Sequence, residues 1–418
     1  MSEVANRSPL CPLGGILLEP KGGNPEGNGP RPVCWDAEGG TTVRTRKLRL
    51  FASLVGLVLL AAACGDSEET TTTAAPGTTG ATTTTAATTT TQPMADEMDF
   101  NGDGEVVIGV ALAGPRDDGA YYQAVVDGAA AFASSQSWAD PIVVDNVTAE
   151  NAATEIENLA QQGVDIMVIS ATEIASPMAD LAQQYSDTFW YCNCGAGWPE
   201  SEFYAQSQDD GSEIHYTAGV AAGLMLQDRG GDSVVMIGCC DLPFEKESFL
   251  AMQMGMEAVD PSFTLTYVPT GNFPFDFDNT AGATEALTNA VAEGADGVYA
   301  YLGGAANPVG QAGNGAGIFT IAAGPSDACE RTDVTWDMTV KFDGGDYVRA
   351  IFPQIVSGDV VEGAVKVFHV GVDSEPGAEI CGATAEMEAA LQEAYDLVAS
   401  GDLNDEFGAI KGEAYAGG

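Results

Sequence analysis

Short apolar runs alternate with longer amphipathic stretches from residue 105 to about residue 323. The runs EVVIGVALA at 105–113 and VDIMVIS at 164–170 are almost continuously hydrophobic, which is typical of strands buried on both faces of a parallel sheet. Between them, YYQAVVDGAAAFASS at 121–135 has the apolar spacing of a helix that packs on one face. This alternation predicts repeated β-α-β units and therefore an α/β fold.

The alternation occurs twice and is interrupted near residue 208, which predicts two doubly wound lobes instead of one wide sheet. In the first part the predicted strands are 105–113, 141–147, 164–170 and 188–194, and the predicted helices are 121–135, 149–163 and 173–185. In the second part the predicted helices are 214–228, 245–259 and 279–294, and the predicted strands are 233–240, 263–268, 296–304 and 318–323. We predict that lobe I contains 104–207 plus about 325–360, and that lobe II contains 208–322 plus the C-terminal segment.

The chain ahead of the lobes begins with two segments of different composition. Residues 1–43 are rich in Gly, Pro and Asn, so we expect them to be disordered or to precede the true start codon. At 44–63 a basic flank leads into FASLVGLVLLAAA and then Cys64, which resembles a bacterial lipoprotein signal peptide. The resemblance implies cleavage before Cys64 and a lipid anchor on its sulfur. The alternatives are an incidental cysteine after a signal peptide and a short membrane anchor, although a spanning helix needs about 20 apolar residues.

Residues 64–98 are dominated by Thr and Ala, including the run TTTTAATTTT. Such a composition offers too little apolar surface to offset the entropy lost on ordering the chain. We expect this segment to be a tether that holds the two lobes away from a membrane.

The charge balance of the chain is strongly acidic. There are 61 Asp and Glu residues against 15 Lys and Arg, and the formal net charge is −46. Nucleic acid is therefore excluded as a partner, because binding phosphates requires clustered basic residues. Self-repulsion on this scale destabilises a compact state unless salt screens it, so we hypothesise a saline habitat.

The cysteines that follow Cys64 favour a structural role. An exported protein retains disulfides, and six cysteines allow 15 pairings between which the sequence does not decide. The only histidines, His215 and His369, are not at zinc-ligand spacing from any cysteine, so we predict disulfides or buried thiols and no metal. The six cysteines are Cys192, Cys194, Cys239, Cys240, Cys329 and Cys381.

Motifs of catalysis and of cofactor binding are missing from the sequence. There is no Gly-x-Ser-x-Gly nucleophile elbow and no Gly-x-x-x-x-Gly-Lys-(Ser/Thr) phosphate loop. Two histidines also leave little material for general acid–base chemistry. We therefore expect neither an enzyme nor a cofactor.

Four segments at consistent spacing resemble one family. They are VIGVALAGPRDDGAYYQAVVDGAAAFA at 107–133, ENLAQQGVDIMVIS at 157–170, HYTAGVAAGLML at 215–226 and MQMGMEAVDPSFTLTYVPTGNF at 252–273. Together they are similar to the basic membrane protein (BMP) family of solute-binding lipoproteins, whose best-understood members are purine-nucleoside receptors of ABC importers. The resemblance implies the type I periplasmic-binding-protein fold, in which a hinge joins two Rossmann-like lobes around a central ligand cleft.

In lobe I the resemblance implies three ligand-binding residues. Tyr121 is at the position of an aromatic residue that stacks on the ligand, and the alternative is a core aromatic. Asp118 matches an acidic position that accepts hydrogen bonds from the ligand, and the alternative is a cap of the following helix. Tyr122 replaces a common Asn, which changes the polar contact expected with a nucleoside.

In lobe II the resemblance implies four further residues. Phe273 corresponds to a second aromatic residue at the ligand, with a core or hinge role as the alternative. Gly303 and Gly304 correspond to a loop of small residues that lets the backbone approach the ligand. Lys341 lies near the position at which the family carries a lysine that faces the cleft. The alternative is that Lys341 forms a surface charge pair with Asp343.

The resemblance implies a lipid-anchored solute-binding protein on the extracytoplasmic side of the cell membrane, serving an ABC permease and its ATPase. Its ligand would be a nucleoside or nucleobase-like solute. The segment TIAAGPSDACE at 320–330, however, has Gly324 and Pro325 where the family's receptors carry an acidic residue for the ribose hydroxyls. A sugar-like or other non-nucleoside solute remains an alternative, as does a surface sensor or signalling lipoprotein with the same fold.

Overall fold

The computed structural model describes residues 97–195, 198–271 and 275–416. The leader, the signal-like segment with Cys64, the Thr-rich run and Phe273 lie outside the described residues. Within the described ranges, no helix is both long enough and apolar enough to cross a membrane.

Lobe I is built on a six-stranded, wholly parallel sheet in the order β11-β5-β4-β3-β1-β2. Its strands are β1 Ile108–Leu112, β2 Ile142–Val144, β3 Ile166–Ser170, β4 Phe189–Asn193, β5 Ala205–Asp209 and β11 Val365–Phe368. One face is covered by helices α1 Tyr121–Gln136 and α8 Gly344–Ser357, and the other by α2 Ala152–Ala160 and α3 Met178–Gln184. The central strands β1, β3 and β4 are buried on both faces, as their continuous apolar runs predict.

Lobe II repeats this design with the strand order β12-β10-β9-β8-β6-β7, in which only β12 is antiparallel, to β10. The strands are β6 Ser233–Gly238, β7 Thr264–Pro269, β8 Gly297–Ala300, β9 Phe319–Gly324, β10 Met338–Lys341 and β12 Gly377–Ile380. Helices α4 Gly211–Arg229, α5 Pro243–Val259, α9 Ala385–Ser400 and α10 Asn404–Ala414 contribute to the core on one face. Helices α6 Thr280–Glu293 and α7 Ala306–Ala316 cover the other.

The chain crosses between the lobes three times. The crossings run from β5 to α4, from β10 to α8, and from β11 to β12. These three connecting segments form a hinge between two compact lobes. The predicted two-lobed fold with a hinge and a central cleft is therefore confirmed. The chain returns to lobe I over Gly344–Phe368, later than the predicted 325–360, because Met338–Lys341 pairs with β9 and β12 of lobe II.

One predicted helix is divided in the structure. The segment predicted as a single helix at 173–185 forms a 3-10 turn at Thr172–Ile174 and then α3, which begins at Met178. Pro177 stands at the junction and has no N–H to continue an intrahelical ladder.

The six described cysteines form three disulfides: Cys192–Cys194, Cys239–Cys240 and Cys329–Cys381. The first lies at the end of β4 and the second directly follows β6. The third joins two positions of lobe II at a sequence separation of 52 residues, and the chain between them passes through lobe I. The expectation of structural cysteines is met, with a pairing that the sequence left open.

Candidate functional site at the interlobe cleft

Loops that follow strands of the two lobes meet each other. Arg331 Nη1 of lobe II donates to the carbonyl oxygen of Gly119 in lobe I at 3.1 Å. A Cβ atom at Gly119 would lie 3.2 Å from Asn307 Nδ2 on α7. Gly119 has a φ of 70°, which favours glycine and turns the loop after β1 toward lobe II. The carboxyl ends of both parallel sheets therefore border one cleft, which is where doubly wound folds bind ligands.

Asp118 caps the first turn of α1. Its Oδ1 accepts hydrogen bonds from the backbone N–H groups of Ala120 at 2.9 Å and Gln123 at 3.0 Å, and its Oδ2 accepts one from Tyr122 at 3.4 Å. Burial raises the pKa of Asp118, and the nearby Asp278 of lobe II raises it further. The predicted capping role is thus observed, while ligand contact remains a prediction.

Tyr121 and Tyr122 stand side by side at the start of α1. Their ring centroids are 5.5 Å apart, with the planes at 84°. The Tyr121 hydroxyl donates to the carbonyl of Asn193, the last residue of β4, at 3.5 Å. Burial raises the pKa of both tyrosines, so both hydroxyls stay protonated near neutral pH.

Ser170 is the last residue of the central strand β3, Glu173 follows that strand, and both border the two tyrosines. The Tyr122 hydroxyl lowers the pKa of Glu173, although burial raises that pKa more strongly. Ser170 is fully buried and close enough to Tyr121 to lower the tyrosine's pKa. Neither Ser170 Oγ nor Glu173 Oε2 has a partner with hydrogen-bond geometry among the described residues.

Gly303 and Gly304 line the lobe II side, after β8. The Gly303 N–H donates to the carbonyl oxygen of Phe277 at 3.2 Å, and the Gly304 N–H donates to Asp278 Oδ1 at 2.6 Å. A Cβ on Gly304 would lie 2.9 Å from Asp278 Oδ1, so the loop requires a small residue here. These two N–H groups hold the segment with Phe277 and Asp278 in place, and the approach of this backbone to a ligand stays a prediction.

Lys341 is the last residue of β10, at the second crossing between the lobes. Its Nζ is 3.9 Å from Glu379 Oε2 on β12, so Glu379 is its ionic partner. Asp343, the partner considered from the sequence, instead caps α8 by accepting from the Gly345 N–H at 2.7 Å. A ligand contact of Lys341 remains a prediction.

An aromatic cluster extends the cleft on lobe II. The ring of Tyr301 packs edge-on against Phe342 at 5.7 Å and against Phe244 at 6.3 Å, and it stacks on Tyr299 at 5.4 Å. His215 on α4 adjoins this cluster, and its Nε2 is 3.0 Å from the Tyr299 hydroxyl. Burial lowers the pKa of His215 to about 4, so the imidazole is neutral near pH 7.

Asp209 closes the inner end of the cleft, where β5 passes into the hinge. Its Oδ2 accepts a hydrogen bond from the Tyr347 hydroxyl at 3.0 Å. Burial raises the pKa of Asp209 to about 6, and the negative charges of Asp210 and Glu247 contribute to the shift. Its charge also raises the pKa of Tyr121 in lobe I and of Tyr301 in lobe II, so Asp209 lies near both aromatic groups.

A second polar cluster holds the hinge on another side and is internally satisfied. Asp210, Glu213 and His369 offer three metal-ligating atoms within 4.8 Å of one another, beside a cavity of about 420 Å³. However, Lys411 pairs with Asp210, and the two oxygens of Glu213 interact with His369 Nδ1 and the Val370 N–H, each at 3.0 Å. These contacts tie the third crossing to α4 and α10 of lobe II.

The structure brings Asp118, Tyr121 and Tyr122 of lobe I toward the segment that contains Gly303 and Gly304. The sequence reasoning missed seven cleft residues: Ser170, Glu173, Asn193, Asp209, Tyr301, Arg331 and Phe342. Three of them, Ser170, Asn193 and Tyr301, lie within the predicted strands 164–170, 188–194 and 296–304.

A pair of doubly wound lobes on a three-segment hinge, with aromatic rings and carboxylates between them, defines a solute-binding protein. Residues 105–324 match the family model Bmp, described as "ABC transporter substrate-binding protein PnrA-like". The match covers more than half of the chain, and the chain belongs to this family. Such proteins bind small solutes outside the cytoplasm for a membrane permease and its ATPase, and they are not enzymes.

Solved structures agree on the fold. A solute-binding protein of an ABC transporter system from Conexibacter woesei DSM 14684 has a TM-score of 0.57 at 20% identity, covering 71% of this chain and 97% of that protein. One from Aeropyrum pernix K1 has a TM-score of 0.56 at 13% identity, covering 75% and 92%. A transcriptional activator of the comK gene from Bacillus halodurans has a TM-score of 0.55 at 15% identity, covering 70% and 96%. No curated protein matches the chain.

Proposed function

We propose that this substrate-binding protein is anchored to the membrane by a lipid on Cys64 and holds a small polar, nucleoside- or nucleobase-like solute between its lobes. The observation that carries the proposal is the placement of Tyr121 and Tyr122 with Asp118 at one edge of the cleft, near Asp278 of the other lobe. Aromatic rings supply contact area for a planar solute, and the polar groups fix its orientation. The other predicted ligand contacts, Phe273, Gly303, Gly304 and Lys341, belong to the same proposal.

Binding closes the lobes and presents their rims to an ABC permease with its ATPase. The Thr-rich segment after Cys64 supports this arrangement, because a tether lets an anchored receptor reach the permease. Replacing the anchor cysteine tests the lipid: Cys64→Ser should move the protein from the membrane to the soluble fraction. Unchanged membrane association would refute the anchor.

Ligand screening tests the cleft. A solute that binds only the folded protein raises its melting temperature, so adenosine, guanosine, inosine, adenine and ribose are compared by thermal shift and calorimetry. Tyr121→Ala should weaken any hit at least tenfold. Tyr185→Ala is the matched control. Tyr185 lies just before β4, at the amino ends of the strands and away from the cleft, and its hydroxyl donates a hydrogen bond to Glu157.

A sensor or signalling lipoprotein would keep this fold and cleft without a permease. The comK activator of similar fold shows that the architecture alone does not decide between the two. An adjacent permease gene and ATPase gene, followed by co-purification of the permease with the ligand-bound protein, would support transport. Full ligand binding without any permease partner would favour the sensor.

A further inference from the structure

The cleft collects carboxylates without matching cations. Asp118, Glu173 and Asp209 approach from lobe I and Asp278 from lobe II. None of these four forms an ion pair within the ranges that the structure describes. A cleft lined by one sign of charge attracts solutes of the opposite sign.

The basic side chains at the rim are already engaged. Arg331 donates to both carboxylate oxygens of Asp333, at 3.1 and 2.7 Å, while its remaining nitrogen binds Gly119. Lys341 pairs with Glu379. Arg331 or Lys341 would therefore have to break one of these contacts before it could neutralise a carboxylate of the cleft.

Two buried polar atoms at the end of β3, Ser170 Oγ and Glu173 Oε2, have no partner with hydrogen-bond geometry among the described residues, although the hydroxyls of Tyr121 and Tyr122 adjoin them. The Ser170 side chain is 0% exposed. Buried polar atoms of folded proteins are almost always paired, because an unpaired one loses its hydration without compensation. A carboxylate oxygen accepts hydrogen bonds only, so the missing partner of Glu173 must be a donor.

Aromatic rings lie on both lobes of the cleft. Tyr121 and Tyr122 meet edge to face at 5.5 Å on lobe I, and Tyr301 and Phe342 do the same at 5.7 Å on lobe II. Ring faces attract a cation through their quadrupole, and the attraction strengthens where water is excluded. Carboxylates between aromatic faces thus favour a positively charged solute over a neutral one of the same shape.

We infer that the cleft selects a small organic cation whose protonated nitrogen donates hydrogen bonds to Glu173 and Ser170 and lies against the rings of Tyr121 and Tyr122. This inference rests on the proposed function, because it names the class of solute that the same cleft takes. It narrows the nucleoside-like class to cationic members and admits aromatic amines. Neutral nucleosides supply donors, but they leave the charge of the cleft uncompensated.

Matched pairs of probes separate charge from shape. Tyramine is compared with its neutral alcohol analogue tyrosol, and 1-methyladenosine, which is cationic, is compared with adenosine. Calorimetry with the purified full chain at constant ionic strength should show each cation binding at least tenfold more tightly than its neutral partner. Constant ionic strength is needed because the net charge of −46 attracts all cations weakly.

Variants localise the effect. Glu173→Gln keeps the size of the side chain but removes its charge, and it should reduce the preference for the cation at least tenfold with little change for the neutral partner. Glu362→Gln is the control, because Glu362 is also in lobe I but is exposed and accepts a hydrogen bond from the Trp190 N–H of β4 at 3.3 Å. Melting curves verify that both variants fold.

The outcomes distinguish the two proposals. Equal or tighter binding of the neutral partners, or an unchanged preference in Glu173→Gln, overturns the cationic inference and leaves the proposed function intact. Binding of neutral nucleosides with no binding of either cationic probe also overturns the cationic inference and leaves the proposed function intact. If no probe and no nucleoside, base or sugar binds, the proposed function is overturned as well.

Discussion

Arg331 of lobe II donates a hydrogen bond from Nη1 to the carbonyl oxygen of Gly119 in lobe I, at a distance of 3.1 Å. Asp333 holds the same guanidinium through two further hydrogen bonds. The contact joins the loop after β1 to the segment between β9 and β10, on opposite sides of the cleft. It is therefore a direct link between the two lobes.

Removing this link should favour the open arrangement. A charge-assisted hydrogen bond contributes about 1–3 kcal/mol, and partial solvent exposure places Arg331 at the low end. Arg331→Gln should enlarge the radius of gyration without ligand, measured by small-angle X-ray scattering, and weaken solute affinity roughly 2- to 10-fold. Arg349→Gln is the control, because Arg349 pairs with Asp346 within one helix of lobe I. A similar expansion in the control would show that the hydrogen bond between Arg331 and Gly119 does not hold the lobes together.

Gly219 and Gly255 let α4 and α5 touch, which gives a physical reason for two glycines of the family-like motifs. A Cβ at Gly219 would be 2.0 Å from the Met252 carbonyl oxygen, and one at Gly255 would be 2.1 Å from the Tyr216 carbonyl oxygen. Gly219→Ala should therefore destabilise the protein by about 1–3 kcal/mol or more, because the helices must separate. Urea unfolding measures the change.

Gly412 on α10 provides the matched control for this substitution. It is exposed, and a Cβ atom there would meet nothing within 4 Å. Gly412→Ala should stabilise the protein by about 0.5–1 kcal/mol through helix propensity alone. Equal effects at the two positions would contradict the close helix contact.

Asp343 gives the stability of the protein a specific pH dependence. Burial raises its pKa to about 6, and the charge of Asp346 adds to the shift. A carboxyl group whose folded pKa exceeds its unfolded pKa of about 3.9 favours the folded state most below that value, and the benefit is lost as the pH rises through 6. Asp343→Asn retains a capping side chain and should be more stable than the wild type by about 1–3 kcal/mol at pH 7, with no gain near pH 4.

Unfolding free energies of the two proteins between pH 4 and pH 7 check this prediction. The difference between variant and wild type is informative because His215, with its pKa lowered to about 4, acts in the opposite direction and cancels in the comparison. A difference that does not change with pH would mean that Asp343 titrates normally.

The Cys329–Cys381 disulfide should contribute most of the stabilisation provided by the three disulfides. It closes a separation of 52 residues, for which the chain-entropy estimate is about 4 kcal/mol, whereas Cys192–Cys194 spans a separation of only 2. Replacing both Cys329 and Cys381 by Ala should lower the urea midpoint of lobe II strongly. The Cys192→Ala and Cys194→Ala pair should cause a smaller change. The reverse order would contradict the entropic account.

Salt should stabilise this protein. With 61 acidic and 15 basic residues, repulsion acts across the whole surface, and the screening length falls from about 10 Å at 0.1 M to about 3 Å at 1 M salt. The melting temperature should rise continuously between 0.05 and 2 M potassium chloride. A flat or falling curve would exclude the saline hypothesis.

The sequence predicted the fold well where strands are hydrophobic throughout. Strands β1, β3, β4, β6 and β8 coincide with continuous apolar runs, because both of their faces are covered. Strand β5, with the sequence AQSQD, and the later elements from α7 onward except β9 were not predicted. Strand β5, which pairs with β4 and β11, and the edge strand β11 carry too weak a pattern, since neighbours that are distant in sequence decide whether they pair.

The sequence alone determined the repeated β-α-β units, the acidic character, the lipoprotein-like segment at Cys64 and the turn that contains Asp118 and Tyr121. These properties depend on composition and on neighbours a few residues away. Only the tertiary structure decided that Ser170 and Glu173 border Tyr121 and Tyr122, that Asp278 comes near Asp118, and that Arg331 reaches Gly119. The last pair is 212 residues apart, and a contact at that separation depends on how the hinge sets the two lobes against each other, which no local pattern encodes.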